Sequence, residues 1–252
     1  MLLALKLFLV PASICLVTLA GQRWGPAVAG WLGGMPVIAG PILLLLAIEH
    51  GIPFAAEAAI AAVSSLLPFL VFVVLYARLA GRCHWLPCYG VAIAGWGLAA
   101  WGIALLAPDV WWAILLAVMA LCVAPRLIPV LAGSAAHRIG GAELVLRMAA
   151  GLTLTLLITS AAGALGTGWS GILTVFPVLA SVLAVFSHRS QGAAFVVPLL
   201  HGTTRGLLAL FAFCATLALV IDRGLAIGFL LALATSLLVQ LASRGLIRKT
   251  QP

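Results

Sequence analysis

The chain has 252 residues, 65% of them hydrophobic and 7% charged, with a net charge of +8 and a mean hydropathy of +1.30. A soluble domain carries roughly 25% charged residues, so this composition cannot cover a water-facing surface. In a soluble protein the excess of Lys and Arg would suggest nucleic acid. In so apolar a chain it marks orientation instead, because basic residues collect in the cytoplasmic loops of membrane proteins.

The apolar runs are continuous rather than alternating, which excludes a β-barrel. Nearly every run reaches the ~20 residues a helical crossing needs. The expectation is an all-α polytopic membrane protein of about nine transmembrane helices, arranged as two inverted-topology four-helix repeats joined by a central helix. The first apolar run, Met1 to Ala20, has no basic amino-terminal region and no small-residue cleavage site, so it reads as the first span. Spans then fall at about 2–21, 26–48, 53–77, 87–107, 110–131, 143–165, 169–187, 195–221 and 225–243. Pro87 and Pro108 fall at helix boundaries, and Pro125 and Pro129 end or kink the fifth span.

Two spans carry a break. The second contains Gly33, Gly34, Pro36, Gly40 and Pro41, a set that no straight helix tolerates, because proline lacks the backbone donor and clashes one turn back. The seventh contains Pro177 and Ser181 at the matching place. Sliding the chain by 141 residues aligns Pro36 with Pro177, Gly30 with Gly171, Gly51 with Gly192, Phe54 with Phe195, Phe72 with Phe213 and Lys6 with Arg147. The chain therefore reads as repeat unit 1 (1–109), a linking span and loop (110–139) and repeat unit 2 (140–252). One odd span between two four-span units turns the second upside down, a construction frequent in secondary transporters.

Loop charge agrees. Arg23, Arg78, Arg82, Arg126, Arg138, Arg147, Arg189, Arg244, Arg248 and Lys249 fall on one side, and Glu49, Asp109, Asp222 and Arg223 on the other, with Lys6 near the amino terminus. The positive-inside rule then puts the amino terminus outside and the carboxyl terminus in the cytoplasm.

The Gly-to-Pro breaks, the Gly-Ile-Pro-Phe and Gly-Ala-Ala-Phe restarts and the unit length resemble the GlpM-type small inner-membrane proteins. The resemblance covers about 2–107 and 143–247, as if two such units were fused. It is nearer in the second half, with Phe176-Pro177, than in the first, which has Met35 and an extra Pro41. It implies a bacterial inner-membrane location and no defined activity.

Candidate chemistry centres on the eighth span. Arg205 lies about ten residues inside it, roughly 15 Å at the helical rise. His201, four residues earlier, projects from the same face, and Thr204 is adjacent. An intramembrane Arg costs at least ~2.5–3.5 kcal/mol on insertion scales and so needs a partner, a wet cavity or a function. The functional reading is an anion-receiving site of Arg205, His201 and Thr204, with Glu57 and Ser64 from the third span. The structural reading pairs Arg205 with Glu57. Glu49, His50, His188 and Arg189, at the ends of the broken spans, are candidate gating groups or plain loop charge. Ser64 and Ser65 read as hydrogen-bonding across helices, and His84 and His137 as loop residues.

Trp24, Trp31, Trp85, Trp111, Trp112 and Trp169 read as an aromatic belt, and Gly90-x-x-x-Ala94 as a packing face. Five cysteines, with Cys83-His84 and Cys88 as their one cluster, make a poor metal site. No catalytic constellation, metal or cofactor is expected. The expected surroundings are the lipid bilayer and a small solute. A small-solute transporter leads. Its alternatives are a membrane assembly partner in a cell-envelope process and a lipid-acting enzyme with His201 as acid or base.

Overall fold

The computed structural model describes residues 2–131, 139–165 and 176–248. The helices are α1 (Leu2–Trp24), α2 (Pro26–Gly33), α3 (Ala39–His50), α4 (Ile52–Ser64), α5 (Leu66–Ala80), α6 (Trp85–Leu106), α7 (Val110–Leu127), α8 (Gly141–Leu165), α9 (Val178–Gln191), α10 (Ala193–Val220) and α11 (Leu225–Arg248), with a 3-10 turn over Ile221–Arg223. No strand occurs among the described residues.

Among the described residues, seven stretches are long and apolar enough to cross a membrane: Leu7–Trp24, Ile52–Ala80, Trp85–Leu106, Val110–Leu127, Gly141–Ser160, Ala193–Arg223 and Leu225–Ser243. The two expected spans missing from that set are the two with breaks. Span 26–48 is two short helices, α2 and α3, with Gly34 to Ile38 between them. Of span 169–187 only α9 is described, and Gly171 to Val175 lie outside the described residues, as do Trp169, His137, Arg138 and Lys249.

The local causes are plain. Pro26 and Pro53 stand in the first turns of α2 and α4, where the missing N–H costs nothing. Asp109 caps α7, its carboxylate accepting from the N–H groups of Trp111 and Trp112 at 3.0 and 2.9 Å. Pro125 is carried inside α7, which ends at Leu127 because Pro129 forces Ile128 into an extended conformation (ψ 129°). Span 53–77 is also not straight. It divides at Ser65, where Pro68 follows and where Ser64 and Ser65 donate to their own helix, to the carbonyls of Ile60 (3.0 Å) and Ala61 (2.6 Å). The expected cross-helix bonds of these serines are therefore absent: both hydroxyls are spent one turn back, which bends helices.

Gly51 and Gly192 join successive helices with φ 89°, ψ 170° and φ 76°, ψ −173°. Only glycine adopts that region without strain.

Contacts gather one set of helix ends at a single face. Arg78 donates to the Leu127 carbonyl, Tyr76 meets His188, and Arg147 meets Ser187 and Ser190. We call this the basic face. Gly151 of α8 lies against Ile14 and Val10 of α1, while Arg147 lines a crevice with Thr18 and Gln22, so α1 and α8 run antiparallel. The packing face of α6 passes through Cys88, Ala92 and Trp96, with Gly95 against Leu75 and Val71. The expected Gly90–Ala94 face is exposed instead. The outer surface is apolar, including Leu98, Leu105, Trp111, Leu157 and Leu238, each more than half exposed. That is the surface of a protein solvated by lipid.

Candidate functional site at the helix break

The break in α2 lies against the middle of α10, and glycine decides how closely. On α2, Gly30 and Gly34 are four apart, and on α10 so are Gly202 and Gly206. A Cβ at Gly30 would sit 1.8 Å from the Leu199 carbonyl oxygen, and one at Gly202 would sit 2.1 Å from that of Ala27. At Gly206 it would meet the Trp31 carbonyl oxygen at 2.3 Å, and at Gly34 the Gly206 backbone at 2.5 Å. Backbone lies on backbone in both directions, the arrangement small-x-x-x-small pairs permit in membranes. Residue numbers rise together along the two helices, so α2 and α10 cross in the same sense.

Interrupting a helix frees carbonyls that hydrocarbon cannot satisfy. The Gly34 and Met35 N–H groups return to the Gly30 and Leu32 carbonyls. The Trp31 carbonyl is taken by the Gln240 side chain of α11, whose Nε2 donates at 3.3 Å. The Trp31 indole in turn donates to Ser243 Oγ at 2.9 Å, and Ser243 donates to the Gln240 carbonyl. Gln240 and Ser243 are each 3% exposed, so this cap is enclosed within the helix bundle. Trp31 thus holds the break and is not part of an interfacial belt.

The break after α2 lies beside the start of α9, within which Ser181, an expected break residue, is helical. A Cβ on Gly33 would stand 3.7 Å from Leu179 and Leu183 of α9, just past Pro177. Ile38 shares an apolar cluster with Val178, Leu179 and Val182. Pro177 stands at the N-cap position of α9, Phe176 meets Trp96 edge-on at 4.9 Å, and Ser181 is buried. Pro36 sits between α2 and α3, while Gly40 and Pro41 lie in the first turn of α3, Gly40 facing Phe213.

His201 and Arg205 are one turn apart on α10, roughly a third of a turn around the helix from its glycines. Both are half-buried, and His201 Nδ1 is enclosed without a hydrogen-bond partner among the described residues. Thr204 is buried, but its hydroxyl donates to the His201 carbonyl at 2.8 Å and is thus committed to its own helix. Glu57 is exposed on α4 and makes no ion pair with Arg205, because it points out of the bundle. Ser64 is buried and committed to Ile60, as described above. The site thus retains the α10 pair and loses the expected contributions of the third span.

Glu49 and His50 are exposed at the end of α3, His50 stacking on Phe54 at 4.8 Å. His188 is not loop charge: it lies in α9, with Nδ1 3.4 Å from the Tyr76 hydroxyl, while Arg189 beside it is exposed. His84 precedes α6 and faces Trp85. Among the described residues no three His, Cys, Asp or Glu side chains gather as a metal site.

The burial of one charged group escaped the sequence reading. Arg147, only 2% exposed, pairs with Glu143 at 2.6 Å, contacts Ser187 and Ser190 at 3.4 Å and lies over the Phe186 ring. The signal was the four-residue spacing Glu143-x-x-x-Arg147 at the start of an apolar run. Its crevice, lined also by Thr18, Gln22 and Gln191, holds about 10 Å³, the room of one water, and the Thr18 hydroxyl there is unpartnered among the described residues.

No family model, curated protein or solved structure matches the chain.

Proposed function

We propose that this is an inner-membrane transporter of a small anionic solute, built from two inverted units of the GlpM type. Its solute site is the His201–Arg205 face of α10 beside the helix breaks. The observation that carries the reading is a half-buried guanidinium inside a membrane helix, one turn from an enclosed imidazole nitrogen that the described residues leave unpartnered. Intramembrane ionisable groups are functional candidates by default, and a solute carboxylate or phosphate offers acceptor oxygens to the guanidinium and to a protonated imidazole alike.

Several features support the duplication. Gly51 and Gly192, 141 apart, share one glycine-only conformation. Burial repeats at the same offset along α4–α5 and α10. Ala55 and Val196, Ala59 and Leu200, Val63 and Thr204, Leu66 and Leu207, Phe72 and Phe213, and Tyr76 and Leu217 are all buried. The antiparallel α1 and α8, the first helices of the two units, have the relation an in-plane two-fold axis requires. The kink at Ser64–Ser65 occupies, by this offset, the level of Arg205 and Gly206. The basic face is then cytoplasmic and the amino terminus outside.

A second reading rests on the glycine crossing. Where α2 meets α10 the backbones touch and leave no room for a solute, which favours a partner protein with a filled centre. In the transporter reading the same crossing is the pivot of a closed state. Accessibility separates the two. Leu208→Cys lies on the His201–Arg205 face one turn on, and both site residues stay intact. In sealed vesicles of each orientation, a membrane-impermeant charged thiol reagent should modify it from both faces. Modification from one face only, or from neither, contradicts transport through this site.

A further inference from the structure

On the basic face, α5 and the end of α7 enclose a cleft of about 380 Å³ lined by Arg78, Arg82, Arg126, Leu127, Ile128 and Pro129. Three guanidiniums thus meet over a short apolar floor. Two are held by main-chain oxygens of α7. Arg78 Nε donates to the Leu127 carbonyl at 2.8 Å, and Arg126 donates to the Cys122 carbonyl. Each contact uses one of a guanidinium's five donors, so most of their capacity is unspent. None of the chain's carboxylate side chains answers them. Among the described residues the ion pair within 4 Å is Arg147–Glu143, on α8. Three clustered cations, two of them held in place, with no carboxylate side chain paired to them among the described residues, call for an anion with several acceptor oxygens.

What leads to the cleft names the anion. Leu115, Met119, Val123 and Leu127 are exposed at four-residue intervals along α7 and form one apolar stripe that ends at the arginines. Val130, 88% exposed, stands just beyond. A ligand with a phosphate at one end and hydrocarbon at the other fits both parts. We infer that the Arg78–Arg82–Arg126 cleft binds the headgroup phosphate of an anionic phospholipid, with its acyl chains along the α7 stripe. Basic pockets between membrane helices on the cytoplasmic side are suited to such headgroups. The inference requires the chain to span a bilayer and is independent of whether it transports.

The test uses the full chain purified in detergent, with unfolding followed by tryptophan fluorescence. Dioctanoyl phosphatidylglycerol should raise the melting temperature by about 5 °C more than the same concentration of dioctanoyl phosphatidylcholine. Arg82→Gln is the informative variant, because Arg78 and Arg126 also hold backbone carbonyls. It should melt like the parent in phosphatidylcholine and lose most of the phosphatidylglycerol increment, while Arg82→Lys should keep part of it. Native mass spectrometry should show the anionic lipid retained by the parent and reduced in Arg82→Gln. An equal shift from the two lipids would overturn the inference. So would a full shift from inorganic phosphate alone, which would assign the cleft to the free ion, or an undiminished increment in Arg82→Gln.

Discussion

At the residue scale, what matters at each glycine is which atoms its missing side chain would meet. Gly202→Val would drive a branched side chain into the Ala27 carbonyl, and neither backbone can yield. We expect a loss of about 3 kcal/mol or more, at or beyond the usual overpacking range, seen as a collapse of the melting temperature in detergent. Gly97→Ala meets open space on α6 and should be neutral or stabilising by up to about 1 kcal/mol. The pair Arg147–Glu143 gives a second contrast. Glu143→Gln leaves a buried cation short of its partner and should cost about 3 kcal/mol, whereas the double variant Glu143→Gln/Arg147→Met should recover part of that loss. A double-mutant cycle on the melting curves checks it. These residues were partly legible in the sequence. Pro36 and Pro177 announce the breaks, and the position of Arg205 announces a polar group within the bilayer. The mate of Gly30 and Gly34 was not legible, because Gly202-x-x-x-Gly206 lies in a helix with no break to draw attention to it. The burial of Arg147 was hidden for a related reason: at the start of a span, Arg ordinarily faces water.

At the element scale, a broken membrane helix is stable only if its loose carbonyls are met, and here α11 meets one of them. Gln240→Leu keeps the volume and removes the donor to the Trp31 carbonyl, so it should cost about 1–3 kcal/mol, the penalty of a buried unsatisfied acceptor. Ser243→Ala should cost less, about 1 kcal/mol, since it removes the partner of an indole that is only partly buried. Both are read from thermal unfolding, and a neutral Gln240→Leu would remove α11 from its capping role. The boundaries of seven spans followed from hydropathy and proline placement. The division of α4 from α5 did not, because Ser65 looks like any small residue until Pro68 and the two back-bonding hydroxyls are considered together. The expected Glu57–Arg205 pair failed for a reason of rotation: sequence spacing sets depth along a helix but not which neighbour each face meets.

At the scale of the whole molecule, we propose two units of opposite orientation that meet where α2 crosses α10. His50 packs on Phe54 at the start of the α4–α5 rod, and His188 packs on Tyr76 near its end. At 1.5 Å per residue the kinked α4–α5 pair separates Phe54 from Tyr76 by at most roughly 33 Å, close to the hydrocarbon thickness. The loops after the two broken spans should therefore face opposite compartments, with Ser190 in the cytoplasm. The measurement is sided labelling of His50→Cys and Ser190→Cys in a chain lacking Cys15, Cys83 and Cys122 but keeping the buried Cys88 and Cys214. In intact cells an impermeant maleimide should modify position 50 and spare position 190, with the order reversed in inverted vesicles. Modification of both positions from the same side would contradict the inverted architecture and the solute pathway built on it.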